Sequence, residues 1–278
     1  VVVSDRRPIG VFDSGLGGLT VVRSIIDDLP HETIVYFGDT ARFPYGPRPI
    51  EEIRGFAVEI ARHLVEEDVK LIVVACNSAT AAALDEVKAA VPVPVIGVIE
   101  PAVRAAVRAT RNGRVGLIGT VATVESGAYQ RAFQELGPDI EILARACPLF
   151  VEFVERGDTT SPELLRAAEG YLAPLKKAGV DTVILGCTHY PLLRGAIHHV
   201  MGGSVLLLSS ADETASDVYD VLAGDELLAD GTGPPVHRFQ SSGDPAWFAT
   251  LGRRFLGPEF NGAVQVSLQP VGSTPTWS

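Results

Sequence analysis

Val69-Lys70-Leu71-Ile72-Val73-Val74-Ala75-Cys76-Asn77-Ser78 and Val180-Asp181-Thr182-Val183-Ile184-Leu185-Gly186-Cys187-Thr188-His189 are two versions of one segment. Each is an apolar, β-branched run that reaches a small residue, then a cysteine, then two side chains able to hydrogen-bond. Such runs, too short for helices and apolar on both faces, read as strands of a parallel sheet covered by helices on both sides. A second pair of segments repeats at nearly the same spacing: Phe12-Asp13-Ser14 lies over Ile118-Gly119-Thr120, 106 residues apart, while the two cysteines are 111 apart. Two coincidences at near-equal offset indicate two like-folded halves.

The intervening sequence fills in this α/β pattern. Ile9-Gly10-Val11-Phe12 reads as a strand, Asp13 to Gly18 as the turn after it, and a helix runs from near Leu19 to Leu29-Pro30. Ile34 to Asp39 is a second strand, Ile50 to Glu67 a long amphipathic helix, and Val69 to Ala75 a third strand ending on Cys76. The second half repeats the order: strand Arg114 to Ile118, helix near Ser126 to Leu136, strand Ile140 to Ala144, a helix, and strand Val180 to Gly186 ending on Cys187. A Gly/Pro-rich linker, Gly231 to Pro235, precedes a strand at Val236 to Ser241 and a helix at Ala246 to Phe255. The expected organisation is two three-layer α/β halves related by a pseudo-twofold axis. Residues 1–99 with 209–278 form the first and 100–208 the second, with a cleft between them. Ligands of parallel sheets sit beyond the carboxyl ends of the strands, so each half brings one cysteine and one Ser/Thr turn to that cleft.

Composition narrows the functional classes. The 278 residues are 46% hydrophobic, enough for real cores, and Lys+Arg 23 against Asp+Glu 34 gives a net charge of −11, which argues against nucleic acid as the main ligand. The N-terminal residues carry no secretory apolar region and no run is long enough to span a bilayer, so the expected location is the cytoplasm. Cys76, Cys147 and Cys187 lack CxxC or zinc-ligand spacing, so no disulfide framework, redox pair or metal site is expected. The four lysines, Lys70, Lys88, Lys176 and Lys177, are not in a motif for a pyridoxal phosphate Schiff base. No cofactor is called for.

Inverting a stereocentre through a carbanion needs a base on one face of the carbon and an acid on the other. Two tuned cysteines on opposite walls supply both. The helix N-termini expected after Cys76 and Cys187 favour thiolates. His189 and Asp13 stand as polar assistants to Cys187 and Cys76 respectively. Ser14, Asn77, Ser78, Thr120, Thr123 and Thr188, with their loop N–H groups, suit the carboxylates and ammonium of an amino acid without an arginine.

The segments Gly10 to Gly18, Pro44-Tyr45-Gly46, Ala75 to Ala79, Gly119 to Thr123, Ala146 to Phe150 and Leu185 to Pro191 together resemble the glutamate racemases of bacteria, over about Pro8 to Gly257. The resemblance implies a cofactor-independent racemase that supplies D-glutamate for peptidoglycan. It implies substrate or catalytic contacts from Asp13, Ser14, Tyr45, Gly46, Asn77, Ser78, Thr188 and His189, with Cys187 attacking the L-enantiomer and Cys76 the D-enantiomer. Glu155 matches a family glutamate near the second thiol, with Glu152 the competing candidate. Ser78 stands where many relatives carry threonine, which keeps the hydroxyl.

Other readings set limits. An aspartate or hydantoin racemase of the same superfamily fits the two cysteines equally, and a panel of amino acids separates them. A second copy of the chain in a homodimer, and DNA gyrase, which some glutamate racemases are described as inhibiting, are the macromolecular partners to assay. Cys147 has no repeat partner and reads as structural. The third glycine of a dinucleotide GxGxxG motif would fall on Thr20, so Gly15 to Gly18 read as a tight turn. His198 and His199 read as surface residues, and Ser209 to Thr214 as a helix start.

Overall fold

The computed structural model describes residues 4–268; residues 1–3 and 269–278, the two ends of the stretches assigned to the first half, lie outside the described residues. The chain runs β1 (Ile9–Asp13), α1 (Leu19–Asp28), β2 (Ile34–Gly38), α2 (Ile50–Glu66), β3 (Leu71–Val74), α3 (Asn77–Ala90), β4 (Val95–Gly97) and α4 (Ile99–Ala109). It continues with β5 (Arg114–Gly119), α5 (Val121–Glu125), α6 (Ala128–Leu136), β6 (Glu141–Ala146), α7 (Leu149–Glu155), α8 (Pro162–Ala178), β7 (Thr182–Gly186), α9 (Arg194–Met201) and β8 (Leu206–Ser209). The last described elements are α10 (Ser210–Gly224), β9 (Arg238–Ser241), α11 (Pro245–Leu256) and β10 (Val264–Gln265).

These strands form two parallel sheets with flanking helices, ordered β10-β9-β2-β1-β3-β4 and β6-β5-β7-β8. The block β2-β1-β3-β4 and the block β6-β5-β7-β8 have the same order, and the repeat is matched in register. Phe12 pairs with Val74 as Ile118 pairs with Leu185. Asp39 N–H bonds the Asp13 carbonyl at 2.9 Å, and Cys147 N–H bonds the Gly119 carbonyl at 2.9 Å. Asp13 therefore corresponds to Gly119, Ser14 to Thr120, Asp39 to Cys147 and Cys76 to Cys187.

Strand polarity explains the burial. Along β1, Ile9 and Val11 join the core beneath α1 and α10, while Phe12 joins the core beneath α2 and α3. All three are fully buried, each worth roughly 1.5–3 kcal/mol of hydrophobic transfer. In both sheets the chain order reverses beside the first strand of the block, β1 or β5, and a crevice opens there beyond the carboxyl ends.

One element is added to the expected order and one expectation is corrected. The helix expected from near Ser126 to Leu136 is α6, which begins after Gly127, left-handed at φ 69°; ahead of it lies the short α5, which Thr120 starts by accepting the Thr123 N–H. No α-helix N-terminus follows Cys187 directly: Tyr190–Leu193, with Pro191, form a 3₁₀ turn, and α9 begins only at Arg194. Beyond Ser209, α10 packs on α1 and β9 pairs with β2, extending the first sheet. Among the described residues, no helix is long and apolar enough to cross a membrane.

Candidate active site

β1 sits between β2 and β3, so its carboxyl end delivers Asp13 and Ser14 to the crevice of the first sheet. Asp13 is buried, and its Oδ2 accepts the Gly18 N–H at 2.8 Å, where α1 begins and the helix dipole favours an anion. Ser14 Oγ donates to Asp13 Oδ1 at 3.4 Å and accepts from Cys76 Sγ at 3.7 Å. The three groups form a chain from thiol to hydroxyl to carboxylate. Cys76 is extended, at φ −124° and ψ 120°, and caps α3, with its carbonyl accepting the Thr80 N–H at 2.8 Å. Burial first, and the Asp13 charge second, push the Cys76 thiol well above its usual range, against the pull of nearby N–H and hydroxyl donors.

The second sheet assists its cysteine differently. His189, also buried, places Nδ1 3.9 Å from Cys187 Sγ, while Nε2 meets Glu155 Oε1 at 2.7 Å. Burial alone lowers the basicity of the ring, but the hydrogen bonds and charges of Cys187 and Glu155 outweigh it and raise its pKa from 6.5 to about 10. At neutral pH the sulfur faces an imidazolium. Phe43 and Phe255 flank the ring, with centroids 5.9 and 6.0 Å away.

The loops of the two halves close against each other. A Cβ at Gly17 would lie 2.4 Å from Thr188 Oγ1 and 2.5 Å from His189 Nδ1, so the glycine turn after β1 permits this approach. Ser78 Oγ bonds Thr120 Oγ1 at 2.9 Å, and Thr120 bonds Thr123 Oγ1 at 3.0 Å. The Gly46 carbonyl accepts the Ala122 N–H at 3.0 Å. Tyr45, at the centre of the Pro44-Tyr45-Gly46 loop, donates its hydroxyl to buried Asp39, which also accepts from Arg42 Nε at 2.6 Å and Ser242 Oγ at 2.7 Å.

One cavity of about 410 Å³ gathers nearly all of these groups. Cys76 and Cys187 both line it, together with Asp13, Ser14, Tyr45, Gly46, Asn77, Ser78, Thr120, Glu155, Thr188 and His189. Thr123 stands one layer behind the wall, touching it through Ser78 and Thr120. Glu152 lies on the cavity and is exposed, but Glu155 is the residue bonded to His189. Phe43, Val121, Pro148 and Val151 are wall residues without a chemical signature in the sequence. Asp39 and Tyr129 were also missed; each reaches the site through another side chain. Among the described residues, no arginine or lysine lines the cavity, so carboxylates there meet hydroxyls, an amide, N–H groups and the His189 cation. A second hollow, about 470 Å³ along α3, α4 and α6, contains neither lining thiol and no buried acid or base. Among the described residues, no cluster of three His, Cys, Asp or Glu side chains suits a metal ion. Cys147 is fully buried in the core beneath α8 and α9.

Comparison with known proteins agrees with this geometry. A glutamate racemase of Parafrankia sp. is 58% identical over 267 residues, covering 96% of this chain and 95% of that protein. The crystal structure of a glutamate racemase isoform from Bacillus anthracis superposes with a TM-score of 0.90 at 41% identity, covering 95% of this chain and 98% of that one. That of the Francisella tularensis glutamate racemase in complex with D-glutamate gives 0.89 at 37% identity, with the same coverage. Residues 9–218 match the family described as Asp/Glu/Hydantoin racemase, and with these likenesses over nearly its whole length the chain belongs to that family.

Proposed function

We propose that this amino-acid racemase interconverts L-glutamate and D-glutamate by two-base proton transfer, with Cys187 and Cys76 on opposite faces of Cα and no cofactor. The observation that carries the reading is that the corresponding strand-end cysteines of both halves line one cavity of amino-acid size. The choice of glutamate follows relatives that are 53–58% identical and bear that name.

The electrostatics fit the roles. With L-glutamate, the Cys187 thiolate, held by the His189 imidazolium, takes the Cα proton, and the neutral Cys76 thiol delivers its own proton to the other face. With D-glutamate, Cys76 first passes its proton through Ser14 toward Asp13 while the His189 imidazolium passes its own to Cys187; Cys76 then abstracts the Cα proton as thiolate, and the Cys187 thiol protonates the carbanion. Negative charge building on the α-carboxylate meets Asn77, Thr188 and the N–H groups that open α3. We place the chain division at 1–99 with 209–278 and 100–208, supported by the sheet memberships. We also place the enzyme in the reducing cytoplasm, where its thiols stay active, with D-glutamate for peptidoglycan as the product in demand.

The test is the circular dichroism of L-glutamate incubated in D2O with enzyme dialysed against chelator. The signal decays to zero, and early product carries α-deuterium while remaining substrate stays largely unlabelled. Label entering substrate and product alike would point to a single base reaching both faces. Decay with L-aspartate but not L-glutamate would move the substrate to aspartate.

A further inference from the structure

Asn77 opens α3 on the wall of the cavity, and its carboxamide is held on one side only. Its Oδ1 accepts the hydroxyl proton of Tyr129 at 2.7 Å, while Nδ2 is buried with no acceptor among the described residues. Tyr129 comes from α6, in the opposite half, and is fully buried. Its ring packs beside Gly186, the residue before Cys187, where an added Cβ would lie 3.5 Å from Cε2. Burial, and then the Cys187 charge, keep the phenol protonated, so it has one proton to give, and Asn77 receives it. A carboxamide whose oxygen is held in this way cannot flip, and its two N–H protons are left for a ligand.

We propose that Tyr129 is a positioning residue for substrate recognition: reaching across from the second half, it fixes Asn77 so that Nδ2 donates to a carboxylate oxygen of the amino acid. The inference rests on the cavity binding an amino acid. That substrate brings carboxylate acceptors to a wall that has no arginine or lysine among the described residues, at the N-terminus of a helix. It also makes recognition by the first half depend on a side chain of the second.

The test uses the full-length protein with D-glutamate titration calorimetry and with KM and kcat for both enantiomers. Tyr129→Phe keeps the ring and removes the hydroxyl. Kd and KM rise about ten-fold for both enantiomers, with kcat changed less than about three-fold. In an Asn77→Ala background the same change adds nothing, because the group it positions is gone. An unchanged KM in Tyr129→Phe, or the full ten-fold loss repeated in the Asn77→Ala background, overturns the proposal. Asn77→Asp tests the orientation independently of whether Tyr129→Phe folds. With one carboxylate oxygen held by Tyr129, the other faces the substrate as an anion and affinity falls more than about ten-fold, whereas retained or tighter binding means that an acceptor faces the substrate and overturns the proposal. A wild-type protein that neither binds nor racemises glutamate overturns the amino-acid reading itself, and does so before any variant is made.

Discussion

Cys76 caps a fourteen-residue α-helix, while Cys187 runs into a 3₁₀ turn, yet it is Cys76 that the fold keeps protonated and Cys187 that it pairs with a cation. The helix end, worth about 0.3–1 kcal/mol, loses to what each half places beside its sulfur. At equivalent positions the first half has Asp13 and the second has Gly119. The first thus supplies an anion behind a hydroxyl, whereas the second supplies His189 from the turn after β7 and Glu155 from α7. Symmetry of backbone places the thiols; asymmetry of neighbours gives them different partners, a hydroxyl and carboxylate for Cys76 and an imidazole for Cys187.

The comparison breaks first at the sulfurs. Cys76→Ala and Cys187→Ala each lower turnover by about 10²–10⁴-fold or more in both directions, since any one step lies on the path both ways. Solvent-deuterium exchange separates them: Cys76→Ala still washes the α-proton out of L-glutamate, and Cys187→Ala out of D-glutamate. The opposite pattern exchanges the roles of the two cysteines.

Removing the assistants costs less, about 10²-fold, and does so with handedness. Asp13→Asn enlarges the primary isotope effect with α-deuterated D-glutamate, and His189→Asn that with the L-enantiomer. Equal effects for both enantiomers in both variants would leave the cysteines in place and remove these helpers. Gly17→Ala tests the contact between the halves: a methyl within 2.5 Å of His189 Nδ1 displaces the ring, and kcat falls about ten- to a hundred-fold while the protein stays folded.

The His189 pair also sets a pH dependence of stability. Its folded pKa of about 10 stands above 6.5, so its contribution is complete below pH 6.5 and is lost as pH rises through about 10. The gap in melting temperature between wild type and His189→Asn is widest at pH 6 and narrows on the way to pH 10. A gap that widens with alkali reverses the assigned charge. The smallest effect is at Cys147, which occupies the place of Asp39 and faces the core: Cys147→Ser keeps turnover within about three-fold, measured in protein of normal circular dichroism.

The sequence made the fold legible where burial is complete. β1, β3, β5 and β7 are flanked by helices on both faces, so their residues form uninterrupted apolar runs that end at the site. β4 and β10 span three and two residues, too short for any period to register, and β8 lies at the sheet edge with only Leu207 buried. α5 spans only five residues and is started by a single side-chain cap, Thr120 accepting the Thr123 N–H, so it too leaves no period to read. In the site, residues adjoining the repeated strand ends could be named from their position. Asp39 and Tyr129 could not, because they act on Tyr45 and Asn77 through contacts that only tertiary structure creates. Thr123 was named with the wall and stands behind it, since α5 turns it toward Ser78 and Thr120.

The pairing of β9 with β2 has a consequence for the order in which a new chain becomes an enzyme. Strands β5 to β8 leave the ribosome as one unbroken stretch from Arg114 to Ser209, so the second sheet has all its partners as soon as that stretch emerges. β2 emerges earlier but waits: Val35 finds Arg238 only 203 residues later. Until then the nascent chain carries an apolar strand with a bare edge, the feature most prone to pairing with a neighbouring chain. A truncation after Ser209 therefore keeps both thiols and every other wall residue of the cavity, yet is expected to leave a chain that aggregates rather than one that turns over.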